Sequence, residues 1–235
     1  MKIVIVSLLA ILFVIAPNKA EATIPGYTVI AKSDEDNITI YAKKMDGLYY
    51  DFKIDFKGKV FSRPFWMNAT NPTYAPQIYY GDINNDEKKE LVIVLTKGYG
   101  TGALDQEVNV FHIDNKRFGE VLVDHPMAIV NKNIKASLTP SKAEITIGKK
   151  QYLINVKELK LLPETLFDEI NFGSIIKYEV KNNKLTATLH PQFSPGAFVG
   201  SILITYEYRD NMYQEKSIEF QLKDYKSVNL LMNSL

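Results

Sequence analysis

Apolar and polar residues alternate with period two along most of this chain. In Tyr50-Asp51-Phe52-Lys53-Ile54-Asp55-Phe56 the rings and the isoleucine fall on one side, and Asp51, Lys53 and Asp55 on the other. That is the pattern of a half-buried strand. Ile38, Ile40 and Ala42 alternate with Thr39 and Tyr41 just before it. Between these runs lies Asp46-Gly47, a pair suited to a type I′ turn, whose two central residues both need positive φ. Lys57-Gly58 turns the chain again toward Val60 and Phe61, so the segment from about 38 to 67 predicts an antiparallel meander. The stretch NATNPTYAP, residues 68 to 76, holds two prolines and predicts a loop. Strands are expected at Gln77–Tyr80, Leu91–Thr96 and Glu107–Ile113.

The second half repeats this grammar. Ile145 and Ile147 face Tyr152, Ile154 and Val156 across Gly148-Lys149-Lys150. Tyr178 and Val180 lead through Asn182-Asn183 into Leu185, Ala187 and Leu189. Ile202, Ile204, Tyr206 and Tyr208 turn at Asp210-Asn211 toward Ile218, Phe220 and Leu222. Each pair predicts a hairpin. Helix signals are few: Pro163–Ile170 predicts one short helix, with proline in its first turn, and the tail after Asp224 is either helical or frayed. The predicted fold class is therefore mostly β, built of antiparallel hairpins and meanders in propeller-blade-like or sandwich-like sheets, with one or two short helices. The DNKRFG turn and a change of character near residues 114 to 125 divide the chain into a β domain at 23–120 and a hairpin-rich half at 121–235, a candidate second domain.

Composition changes this picture at the N-terminus. The chain opens MKIVIVSLLAILFVIAPNKAEA: a basic residue, an apolar run from Ile3 to Ile15, and Ala20-Glu21-Ala22 in the small-x-small form that signal peptidase accepts. The run falls short of the roughly 20 residues of a membrane-spanning helix. Residues 1–22 are expected to be a signal peptide, with no stable membrane span after its cleavage and a secreted or cell-surface mature protein. Without them the basic and acidic residues balance, which gives no electrostatic reason to bind nucleic acid. The chain has no cysteine, so an exported form is held by its core, by metal, or by both.

The chemistry concentrates in GDINNDEKKELVIVLTKGYGTG, residues 81 to 102. Numbered from Asp82 as position one, Asn84 is three, Asp86 five, Lys88 seven and Glu90 nine. A tight loop presents alternate oxygens to one centre, and calcium is a hard cation that takes six to eight oxygens. Asp82, Asp86 and Glu90 supply carboxylates and Asn84 an amide oxygen. Lys88 supplies its backbone carbonyl. This is not an EF-hand, which requires glycine at position six and glutamate at twelve, where this chain has Glu87 and Ile93. Over roughly Pro76 to Ile113 the sequence resembles the FG-GAP/VCBS repeats of integrin-type β-propellers, whose loops read GDxNxDGxxDL. Gly81, Asp82, Asn84, Asp86 and Leu91 match; Glu87 stands where glycine is usual, and Glu90 where aspartate is. The chain is also similar to secreted or surface proteins of Gram-positive bacteria that carry one such loop. The resemblance implies calcium binding and a β-rich fold, and no particular activity.

Other features yield less. Gly98-Tyr99-Gly100-Thr101-Gly102 lacks the endings of phosphate- and dinucleotide-binding loops and reads as a strand connection. His112, His125 and His190 have no zinc spacing, and Ser194 lies in a Pro/Gly turn. Phe61, Phe65, Trp66, Tyr74, Tyr79 and Tyr80 form an aromatic group that suits either a core with its rim or a sugar-binding face. The expected function is a non-enzymatic binding or structural module with one calcium ion and an extracellular or cell-wall ligand. The alternative is a secreted hydrolase, or an accessory domain of one, acting on envelope or extracellular polymers.

Overall fold

The computed structural model describes residues 24–114 and 118–222. The expected signal peptide and the tail after Asp224 lie outside the described residues. The protein is mostly β, as its alternation predicts. Among the described residues no helix is long and apolar enough to cross a membrane.

The N-terminal sheet holds β1 (Thr28–Ser33), β2 (Ile38–Met45), β3 (Leu48–Phe56) and β4 (Lys59–Arg63), side by side in chain order, with β5 (Asn68–Ala69) paired back onto β3. The expected meander is present. Asp46-Gly47 turns it at φ 49° and 80°, and Lys57-Gly58 at 54° and 86°, so both turns carry two left-handed residues. Phe52, Ile54 and Phe56 point into the core, as their spacing predicts.

A second sheet follows: β6 (Gln77–Gly81), β7 (Glu90–Gly100), β8 (Ala103–Ile113) and β9 (Phe118–Val123). After α1 (Pro126–Asn133), β10 (Ile134–Leu138), β11 (Lys142–Ile147) and β12 (Lys150–Asn155) form a small antiparallel sheet of their own. The chain then returns with β13 (Ile175–Lys181), β14 (Lys184–Leu189), the short ribbon β15 (Gln192–Ser194) and β16 (Ala197–Phe198), and the long hairpin β17 (Gly200–Arg209) and β18 (Met212–Leu222). The large sheet runs β13-β14-β17-β18-β9-β8-β7-β6, and β13 also pairs in parallel with β8 at Leu104 and Asp105. That pairing closes β8, β9, β18, β17, β14 and β13 into a six-stranded barrel-like ring, from which β7 and β6 extend. Strands from both sides of residues 114–125 share this sheet.

Strand β7 is the hinge between two cores. Its run Leu91-Val92-Ile93-Val94-Leu95 is buried on both faces. Leu91, Ile93 and Leu95 pack with Ile40, Phe52, Ile54 and Phe111 under the N-terminal sheet. Val92 and Val94 join the larger core of Val110, Ile202, Ile204 and Phe193. A strand without alternation is what two-sided burial demands, and each such side chain contributes about 1.5–3 kcal/mol. The loop that enters this strand is therefore anchored to the longest unbroken buried run among the described residues, Glu90 to Thr96.

The helix expected at Pro163–Ile170 is reduced to one 3-10 turn, Pro163–Thr165. Beyond it the Phe167 N–H donates to the Phe193 carbonyl and Asn171 bridges to Gln192, so extended pairing takes the backbone groups a helix would have used. Among the described residues the α-helix lies instead at Pro126–Asn133. His125 caps it, with Nδ1 accepting from the Met127 N–H at 3.2 Å, and Pro126 occupies its first turn.

Candidate functional site

The acidic loop joins β6 to β7, and its residues wind round Asp82. Asp82 Oδ1 accepts from the N–H groups of Asn84 at 3.3 Å and Asn85 at 2.7 Å, and Oδ2 accepts from the Glu87 N–H at 3.0 Å. Two further turns of the same kind follow: Asn84 Oδ1 accepts from the Asp86 N–H and Asp86 Oδ1 from the Lys88 N–H, each at 2.9 Å. Asparagine and aspartate fold a chain this way because their short side chains reach the backbone two residues on. Asn85 and Glu87 take positive φ, 63° and 67°. Glu87 thus adopts the left-handed conformation that the resembled family supplies with glycine, at the cost an L-residue carries there.

Gly81 has its own reason. A Cβ at this position would stand 2.5 Å from the Tyr79 hydroxyl and 2.8 Å from its Cζ. The Tyr79 ring lies over the glycine, and its hydroxyl donates to Asn183 Oδ1 at 2.7 Å, tying the base of the loop to the β13–β14 turn.

The five candidate ligands are differently placed. Asp82 and Asn84 are half-buried, Asp86 and Lys88 are exposed, and Glu90 is only 2% exposed. Glu90 Oε2 accepts from the Ile83 N–H at 3.0 Å, across the mouth of the loop. Its Oε1 has His112 Nε2 at 3.9 Å. Among the described residues no three His, Asp or Glu side chains stand together as a ready-made metal cluster. The Asp82 and Asp86 oxygens turn toward the loop backbone, and Glu90 turns inward.

Electrostatics couples them nonetheless. Burial, reinforced by Asp86 and Asp82, pushes the Glu90 carboxyl up to about 7, against the opposing hydrogen bond from Ile83. Burial lowers the affinity of His112 for a proton, offset in part by Asp86. Behind Glu90 the chain brings up a residue from its far end. Tyr213 of β18 is 1% exposed, and its ring centroid is 6.3 Å from that of His112. Tyr208 closes the group, 4.7 Å from His112 and 5.4 Å from Tyr213. Burial and then the charge of Glu90 hold the Tyr213 hydroxyl firmly protonated. His112 faces Glu90 because β7 and β8 pair in the register Glu90↔His112. Sequence reasoning named His112 without giving it a role and missed Tyr213: a register and a barrel closure bring them here, and neither leaves a local signal.

The other candidates have structural employment. His190 Nδ1 lies 3.0 Å from the Gly200 carbonyl oxygen, and His125 caps α1. Gly98–Gly102 forms the β7–β8 bend, with Gly102 at φ 72°. Of the aromatic group, Trp66 is core, Phe61 stacks on Phe118 with centroids 3.9 Å apart, and Tyr74 stacks on Tyr99 at 4.2 Å. Phe65 alone stands clear, at 93% exposure. A single ring is no sugar-binding platform, and the group is mainly core and rim.

Compared with known proteins, the chain matches no family model, no curated protein and no solved structure. What fold and site define together is a class: a β protein with a partly closed barrel, carrying one acidic loop at the entrance to its central strand.

Proposed function

We propose that this chain is an exported, non-enzymatic β module of the cell surface or the surrounding medium, whose loop from Asp82 to Glu90 holds one calcium ion with a structural role. Side-chain oxygens of Asp82, Asn84 and Asp86, the Lys88 carbonyl and the Glu90 carboxylate would hold it. The donor set fits the ion: all five atoms are hard oxygens, and Asp82 Oδ2, which accepts a single N–H, keeps a further lone pair. When bound, calcium supplies the positive charge that three neighbouring carboxylates lack.

The observation that carries the reading is Glu90. A carboxylate this buried is costly unless it is paired, and Asp82 and Asp86 add to that cost. A divalent cation in the loop would offset both terms at once. It would also hold the loop's left-handed residues in place and pin the first residue of β7, on which both cores depend. The N-terminal sequence supports export, and extracellular fluid is where an ion-binding site of modest affinity is filled.

The test is thermal unfolding with calcium and with chelator. Extracellular calcium modules have dissociation constants of about 0.1–1 mM, so a few millimolar calcium stabilises by about 1–2 kcal/mol. For a domain of this size that raises the melting temperature by roughly 2–8 °C. Asp82→Ala removes the hub of the loop and abolishes the gain. Melting curves that superimpose with calcium and with chelator would refute the reading.

A further inference from the structure

We propose that the groove between α1, the β10–β11 hairpin and β18 is a binding surface for a linear, phosphate-bearing polyanion. It shares no lining residue with the acidic loop, and the inference does not depend on calcium.

The near-neutral charge of the chain is unevenly laid out. Residues 126–162, which make α1 and the small three-stranded sheet, hold seven lysines against two glutamates; that leaves 21 basic residues against 25 acidic ones in the rest of the chain. All seven lysines are exposed. The fold gathers part of this charge round one hollow of about 480 Å³, lined by Lys132 of α1, Lys135 of β10, Gly148 of the β11–β12 turn and Lys216 of β18. Lys149 and Lys150 follow Gly148 directly. Lys132, Lys135, Lys149 and Lys150 make no ion pair among the described residues. The acids at the groove already face cations: Glu215 has Arg209 at 3.9 Å, and Glu207 has Lys216 at 3.6 Å. A local positive field is left without counter-charge.

The placing of these lysines is not that of ordinary surface charge. Where Thr205 pairs with Ser217 and Tyr206 with Glu215, the ladder slips and leaves Lys216 as the extra residue of a bulge, a device that re-aims a side chain. Protection of an open sheet edge accounts for Lys135, since β10 is an edge strand. It does not account for lysines on a helix, a turn and a bulge of another sheet. The lining also sets the class of ligand. Its cations are lysines, compact point charges that suit phosphate and need no planar partner. No aromatic ring is among the lining residues, so bases would have nothing to stack on. The apolar members Ile147 and Ile218 are half-buried against the large core, so a membrane surface would find no apolar anchor. A chain of phosphates lying in the hollow meets charge from three elements at once.

In the experiment, sodium polyphosphate is titrated calorimetrically into the full exported chain at low salt. Chelator is present, so the acidic loop takes no part. The wild type is expected to bind with a dissociation constant of about 1–100 μM, and the logarithm of affinity should fall against that of salt with a slope of about −2 to −4, as for about three to five engaged lysines. Lys132→Gln with Lys135→Gln should weaken binding about tenfold and flatten the slope by about one. Lys157→Gln with Lys160→Gln removes the same charge at the opposite end of the β11–β12 hairpin, and should change affinity by about twofold or less. All four side chains are exposed, so both variants should melt with the wild type. Equal losses from the two pairs would overturn the groove, because the response would then be to net charge. A wild type that binds no polyphosphate at low salt would overturn the proposal outright. A single-stranded oligonucleotide bound more tightly than polyphosphate would overturn the assigned class, as would phosphatidylglycerol vesicles that retain the protein against excess polyphosphate. The calcium reading is judged by its own melting curves, so either reading can fail alone.

Discussion

Glu90 offers the sharpest prediction, because its burial cost has a sign and a size. In the metal-free protein its carboxyl is pushed from an ordinary 4.5 up to about 7. The native state therefore holds this proton more tightly than the unfolded chain does. Below pH 4.5 the group is neutral in both states and costs nothing. As pH rises toward 7 the unfolded chain ionises first, and native stability falls; above 7 the whole cost is present. The gap between the two values corresponds to about 3 kcal/mol, a ceiling because the loop can relax. Glu90→Gln keeps the volume and leaves an amide oxygen to accept from the Ile83 N–H, but removes the charge. In urea unfolding with chelator, the variant should match the wild type at pH 4 and exceed it progressively, by up to about 3 kcal/mol, at pH 8. With millimolar calcium the order should narrow or reverse, since glutamine is a poorer ligand than carboxylate. A variant no more stable than wild type at pH 8 without metal would refute the argument that Glu90 is an uncompensated buried acid.

Two further substitutions test the loop's geometry. Glu87→Gly relieves a left-handed L-residue at φ 67°, and after glycine's larger unfolded-state entropy it should stabilise by about 0.5–1 kcal/mol, seen as a rise of roughly 1–3 °C in melting temperature; a fall would mean the Glu87 side chain holds the loop in some other way. Gly81→Ala places a methyl group against the Tyr79 ring and displaces its hydroxyl from Asn183, so urea unfolding should show a loss of about 1–3 kcal/mol, whereas an unchanged midpoint would mean the ring has free space to move.

How much of this was legible in the sequence depends on the range of the interaction that decides each feature. Strands and their turns are set by neighbours, and they were visible: Asp46-Gly47, Lys57-Gly58, Asn182-Asn183 and Asp210-Asn211 all carry paired positive φ between strands. The nine-residue loop was visible for the same reason, since its Asp and Asn side chains bond to backbone two to five residues on. The barrel-like closure was not, because it rests on two parallel contacts, β13 with β8 and β18 with β9, each only two residue pairs long. Pairings that short leave no periodicity to read. The inner half of the candidate site is a product of that closure. A loop motif can specify which oxygens face an ion, but not what stands behind the one ligand that is buried. Here that is His112, brought by strand register, and Tyr213, brought by the return of the chain. The burial of Glu90 is thus set by packing with no local relation to it, while Ile83, Asp82 and Asp86 act on it from within the loop. A loop of this sequence moved to another fold would keep its turns and lose the burial that drives its proposed demand for a cation.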